Sequence, residues 1–189
     1  MYRAALLLWM GCVPRLYSET EENPWVAPEN TWPMATPPAD LIGEGFGVGE
    51  VAPDMRLYDQ YGDEVSLWQF YGSVIILDIS TGWCGPCQQL ADEVCAVQQD
   101  YGDQGFAYLT VMPQNALGAV PSQDDLVEWA TDHNVCAPVL ADTETYSSTL
   151  VPTGEFPCLA LVDAEMRVVE DRLEPAEDTT IRAAIEDLL

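Results

Sequence analysis

The chain contains no lysine. Its six basic residues are all arginine and face 32 acidic residues, giving 189 residues a formal net charge of -26. A surface of that sign repels phosphate backbones and anionic headgroups, which argues against nucleic acid as a partner. Neither a basic cluster nor an internal repeat is present. Long hydrophobic runs are missing as well: the apolar stretch Ala4 to Met10 falls far short of the roughly 20 residues that a membrane-spanning helix needs. Histidine is limited to His133, which follows Asp132 near the end of a predicted helix and reads as a C-terminal cap or solvated residue. What the chain does have is 48% hydrophobic residues, enough for a full core in one domain with a tail. The acidity fits either a solubility device or adaptation to a salty medium, and composition does not separate the two.

Three regions follow from the pattern. In residues 1–12, Arg3 precedes the apolar run, which ends in Gly11-Cys12. This is the layout of an export signal, and small-residue-then-Cys resembles the bacterial lipoprotein signal, with Cys12 as the lipidation candidate; Trp9 and Met10 depart from that pattern. Residues 13–47 are rich in proline and acids and lack an apolar period, so they read as a flexible, mostly extended tether, with Trp25 and Trp32 as candidates to dock on the domain. Residues 48–189 form the folded part. Asp59 to Asp63 makes a turn between two apolar stretches. Val74 to Ile79 and Phe106 to Met112 read as buried strands, and Pro86 to Tyr101 and Gln123 to Asn134 as helices. Cys158 to Val162 with Arg167 to Glu170 forms a hairpin, and Thr179 to Leu189 a closing helix. The expected fold is α/β, with a mixed central sheet flanked by helices.

The stretch Ser80-Thr81-Gly82-Trp83-Cys84-Gly85-Pro86-Cys87 sits at a predicted strand-to-helix junction. A cysteine at a helix N-terminus meets unpaired N–H groups and the positive end of the macrodipole, which favour its thiolate. Cys84 takes that place, and Cys87, one turn in, is the less accessible thiol suited to resolve a mixed disulfide. Gly85 allows a tight turn and a close partner backbone, while Pro86 presets φ in the first turn. Asp78, the one charge in its strand, is a candidate proton acceptor or donor for Cys87 through water, its pKa raised by desolvation; the alternative is an Asp that caps the loop.

Trp83-Cys84-Gly85-Pro86-Cys87 after a strand ending in Asp78 resembles thioredoxin. The wider chain resembles the thiol-disulfide oxidoreductases of the TlpA/ResA type, which share the AhpC/TSA-redoxin fold. Val51 to Gly62, Val65-Ser66-Leu67 and Phe70-Tyr71-Gly72 are similar to that family's opening segment, and Phe156-Pro157-Cys158 to Asp163 to its late strand. The resemblance implies that Cys84 is the nucleophile, Cys87 the resolver and Asp78 the buried acid. It also implies that Pro157 is a cis-proline facing the pair, and that Trp83 and Phe156 line the partner groove. It further implies disulfide-bearing protein substrates and a thiol electron donor, and the protein is expected to be a monomer without cofactor or metal, in the periplasm or cell envelope. Thioredoxin's Gly-Pro pair points to a reductant. Departures are the missing lysine near the acid, Cys158 where Thr is usual, and Met166 where a hairpin glycine is usual.

Cys95, Cys136 and Cys158 remain. Cys136 and Cys158 are candidates for a bridge, and Cys95 is expected to face the core as a small apolar residue. Three other functions stay open. A peroxiredoxin-type peroxidase expects P-x-x-x-T-x-x-C; Thr81 fits, but Leu77 stands in the proline's place. A Cu(I) chaperone would use thiols with His133, although the related chaperones space their cysteines differently. The third is a structural domain with an inert Cys84–Cys87 bridge.

Overall fold

The computed structural model describes residues 24–189. Cys12 and the proposed export signal therefore lie outside the described residues. The described part of the 13–47 segment has no helix or strand, yet it is fastened to the domain. Trp25 Nε1 donates to Ser66 Oγ (2.9 Å), Asn30 Nδ2 to the Glu64 carbonyl (2.7 Å) and Trp32 Nε1 to Asp59 Oδ2 (2.6 Å).

Seven strands form one mixed sheet in the order β2-β1-β5-β4-β3-β6-β7. In chain order they are β1 (Arg56–Asp59), β2 (Glu64–Ser66), β3 (Val74–Thr81), β4 (Phe106–Gln114), β5 (Val139–Ala141), β6 (Cys158–Val162) and β7 (Val168–Glu170). The helices are α1 (Gly85–Tyr101), α2 (Gln123–Asp132), α3 (Ser147–Leu150) and α4 (Asp178–Glu186). Strands β3, β4 and β5 run parallel, while β6 lies antiparallel against β3. Every residue of β3 is buried, as expected for a central strand covered on both faces.

The alternation of β3 sorts the core into two layers. Ile75, Leu77 and Ile79 face Met55, Trp68, Phe70 and Leu150, a layer covered by the N-terminal segment, a 3-10 turn at Leu67–Phe70 and the short α3. Val74 and Ile76 face Leu90, Val94 and Val97 of α1, Leu126 and Trp129 of α2, and Ile181 and Ile185 of α4. Asp78 shares the parity of Val74 and Ile76, so it points toward the helix that carries the cysteine pair.

Two local features replace expected ones. Met166 takes φ +66° in the β6–β7 hairpin, where glycine would be unstrained. Its side chain is fully buried, and that burial, worth about 1.5–3 kcal/mol, outweighs the roughly 1–2 kcal/mol cost of the left-handed conformation. The Cys136–Cys158 bridge is not formed. Cys136 bonds instead to Cys95, with Cα atoms 5.1 Å apart, and Cys158 is a buried free thiol. Cys158 belongs to the layer on the far side of the sheet from α1, whereas Cys136, just beyond α2, meets Cys95 on α1.

The Cys95–Cys136 bond closes a loop across 41 residues that includes β4 and α2. Chain entropy assigns such a loop about 4 kcal/mol of stabilisation. Cys136→Ser is expected to lower the unfolding free energy by about 2–4 kcal/mol in denaturant titrations, with no further loss when Cys95→Ser is added. A second loss of similar size from Cys95→Ser would show that the two sulfurs act independently.

Candidate active site

The site is built on the turn from β3 into α1. Gly82 donates its N–H to the Gln114 carbonyl (2.9 Å), and a Cβ there would lie 2.5 Å from the Ala116 nitrogen, so only glycine fits. Trp83 is 51% exposed; its Nε1 donates to Gln114 Oε1 (2.8 Å) and its ring meets Phe156 edge-on at 5.9 Å. Cys84 is the N-cap of α1, with extended backbone (φ -87°, ψ 110°), and its sulfur accepts the Cys87 N–H at 3.2 Å. Sulfur thus takes the role usually played by a Ser or Asp oxygen. Gly85 and Pro86 form the exposed first residues of the helix, where the proline's missing N–H is not needed.

Cys84 and Cys87 form a disulfide with Cα atoms 5.2 Å apart. Cys84 is 4% exposed and Cys87 0%, so of the two sulfurs Cys84 is the nearer to solvent. The Phe156–Pro157 peptide is cis, and the Phe156 carbonyl oxygen lies 3.5 Å from Cys84 Sγ. Cys84, Cys87, Trp83, Gly85, Pro86, Phe156 and Pro157 therefore converge at one end of the sheet.

Asp78 lies beneath this turn and is completely buried. Burial pushes its carboxyl up to about 7, against the opposing pull of hydrogen bonds from Ser80 Oγ (2.6 Å) and Tyr108 OH (3.2 Å). Burial, with Asp78 beside it, pushes the Tyr108 hydroxyl well above its ordinary value. An isoleucine at this place would contribute about 1.5–3 kcal/mol of burial, whereas a buried carboxylate costs several kcal/mol unless paired. No arginine among the described residues pairs with it, so stability does not account for Asp78.

Ser80 and Tyr108 were not identified from the sequence. Ser80, two residues after Asp78 in a strand, is the signal that could have been found, because period two puts both on one face. Tyr108 reaches Asp78 only through the β3–β4 register, in which Tyr108 pairs with Ile76 and Thr110 with Asp78. His133 is the C-cap of α2, with Nδ1 2.7 Å from Asp92 Oδ1. Among the described residues no group of three or more His, Cys, Asp or Glu is arranged to hold a metal ion. Nor is any helix there long and apolar enough to cross a membrane.

This mixed sheet, with a cysteine pair capping the helix after its central strand and a cis-proline opposite, defines the thioredoxin-like thiol-disulfide oxidoreductases. The sequence profile of the AhpC/TSA family matches residues 48–170, and the chain belongs to that family. It is 29% identical over 127 residues to the thioredoxin-like protein YneN of Bacillus subtilis, covering 67% of this chain and 71% of that one. Among solved structures it resembles the thioredoxin domain of a thiol-disulfide oxidoreductase from Bacteroides vulgatus (TM-score 0.62, 20% identity, 76% and 99% of the two chains). It also resembles a provisionally assigned thiol:disulfide interchange protein DsbE from Chlorobium tepidum (0.60, 26%, 75% and 99%). A third likeness is to a secreted thiol-disulfide isomerase from Corynebacterium glutamicum (0.59, 20%, 71% and 83%).

The Asp78 carboxyl gives a signed test. Its value is about 7 in the folded protein against 3.8 for a free aspartate side chain. As pH rises between these values the unfolded chain ionises first, so the stability contribution present at low pH is lost, at up to about 1.4 kcal/mol per pH unit. Urea titrations from about pH 4 to 8 should show Asp78→Asn gaining on the wild type through this window, by a few kcal/mol in all, and levelling off above it. A constant difference across the window would mean that the carboxyl titrates normally.

Proposed function

We propose that the protein acts outside the cytoplasm as a reductant of protein disulfides, with Cys84 as nucleophile and Cys87 as resolving thiol. The observation that carries this reading is the sulfur of Cys84 capping α1, nearer to solvent than Cys87 and 3.5 Å from the carbonyl before Pro157. In the reduced protein the Cys84 thiolate attacks one sulfur of a partner disulfide. An S–S bond forms between Cys84 and the partner, and the partner's other sulfur leaves as a thiolate and takes up a proton. Asp78 receives the Cys87 proton through water, and the Cys87 thiolate attacks Cys84 Sγ. The partner's second sulfur is released and protonated, so two electrons and two protons have passed to the partner. The Cys84–Cys87 disulfide is left for a thiol donor to reduce.

Trp83, Gly85, Pro86, Phe156 and Pro157 form the surface against which the partner's chain lies. Gly85 and Pro86 are exposed beside Cys84, and the Trp83–Phe156 pair offers an aromatic edge. The setting outside the cytoplasm is supported by the Cys95–Cys136 bond, a kind of disulfide that reducing compartments seldom retain, and by the apolar run before Cys12. Cys12 is proposed as the lipid attachment point.

Insulin reduction with a dithiol donor tests the chemistry. Cys84→Ser should abolish turnover, while Cys87→Ser should accumulate a mixed disulfide through Cys84 that mass spectrometry detects. The midpoint potential is expected in the reducing range, roughly -230 to -290 mV. A potential near the roughly -120 mV of a strong oxidant would reverse the assigned direction, and unimpaired turnover by Cys84→Ser would remove the mechanism.

A further inference from the structure

Beside Trp83 the chain from β4 to α2 runs Asn115-Ala116-Leu117-Gly118-Ala119-Val120-Pro121. Leu117 is 92% and Val120 56% exposed. Apolar side chains held out to this extent in a loose loop would need no explanation, but this loop is fixed. Asn115 Oδ1 accepts the N–H groups of Leu117 and Ala119 (both 3.0 Å), the Asn115 N–H donates to the Ala119 carbonyl (2.7 Å), and Gly118 adopts φ +80°. Asn115 Nδ2 also donates to Asp125 Oδ2 (3.3 Å), which ties the loop to the capping box of α2. The base of the loop rests on Gly82, two residues before Cys84. A rigid mount that presents leucine to solvent next to a redox pair is the form of a docking anchor.

Behind the loop lies a recess of about 170 Å³, lined by Ala116 of the loop, by Gly82, and by Asp125, Glu128, Trp129, Asp132 and His133. Its three carboxylates belong to α2. Asp125 is committed to Ser122 and Asn115, and those hydrogen bonds hold its carboxyl below the usual range. Among the described residues Glu128 and Asp132 have no cationic partner: each arginine there is engaged with acids elsewhere, and His133 faces Asp92. The Trp129 Nε1–H is buried without an acceptor. The recess is therefore side-chain sized and negatively charged, and it is continuous with the turn that carries Cys84.

We propose that the Asn115–Pro121 loop and this recess form a subsite for an extended polypeptide in which an apolar residue lies next to a cationic one near the partner's cystine. The apolar residue packs on Leu117 and Trp83, and the cation enters between Glu128 and Asp132. The subsite rests on reading Cys84 as the sulfur that meets a polypeptide partner. It deepens that reading by naming the sequence character of the partner and a selection against acidic segments, which the like charge of the recess repels.

Binding separates this subsite from the redox chemistry. Two short cysteine-free peptides, identical except for arginine or glutamate beside a leucine, are titrated into the full-length protein and followed by amide NMR shifts. The arginine peptide is expected to bind about fivefold or more tightly, with shifts concentrated at Gly82, Leu117 and Glu128. That advantage should shrink toward unity as salt rises from about 0.05 to about 1 M, where the Debye length falls to roughly 3 Å. Glu128→Gln with Asp132→Asn should remove the arginine preference. Leu117→Ser should weaken both peptides, and Leu117→Met should restore them. Equal affinity for the two peptides at low salt, or shifts mapping elsewhere, overturns the subsite whatever the insulin assay reports, and a failed insulin assay with these shifts intact overturns only the exchange mechanism.

Discussion

A helix of this length begins with backbone N–H groups that no carbonyl of its own can accept. In α1 one of those donors is satisfied by sulfur, and the arrangement of the site depends on that contact. It fixes the position of Cys84 at the start of α1 and brings Cys87 one turn below it. It also makes negative charge on the outer sulfur more favourable than it would be on a free thiol. The glycine at 82 belongs to the same constraint, because any side chain there would displace the β4–α2 loop that packs on the turn.

The electrostatics beneath the pair run the opposite way. Where Cys84 is offered donors, Asp78 is denied solvent and has only a serine and a tyrosine hydroxyl as partners. With its carboxyl pushed up to about 7, Asp78 stands near its midpoint at neutral pH, which suits the proton exchange with Cys87 proposed above. The thioredoxin-like fold allows this because a central parallel strand, covered on both faces, can carry one buried acid directly beneath the helix it feeds. The absence of lysine is consistent with this balance, since a buried ammonium beside Asp78 would hold it ionised.

Much of this was legible in the sequence because the relevant residues are contiguous. Trp83 to Cys87 is a single motif, and the apolar runs Val74 to Ile79 and Cys158 to Val162 marked two strands of the sheet; the second range matches β6 residue for residue. What was not legible was tertiary. Strand β5 is only three residues long and follows Pro138, too short for a period to register. The pairing of Cys95 with Cys136, rather than Cys136 with Cys158, depends on which face of the sheet each thiol occupies, and spacing says nothing about that. Tyr108 looked like an ordinary strand residue; its link to Asp78 exists only across the β3–β4 register. Gln60, in the Asp59–Asp63 turn, is buried, and its amide bonds both the Ala137 carbonyl and the Val139 N–H, partners far away in the sequence.

The segment ahead of the sheet carries its own lesson about where the folding unit starts. Its tryptophans and Asn30 supply hydrogen bonds to β1, β2 and Ser66, and its chain helps roof the layer around Met55 and Trp68. A fragment trimmed at residue 47 would keep every strand and helix. It would also bare apolar surface along the sheet's β2 edge, inviting self-association through an unshielded flank.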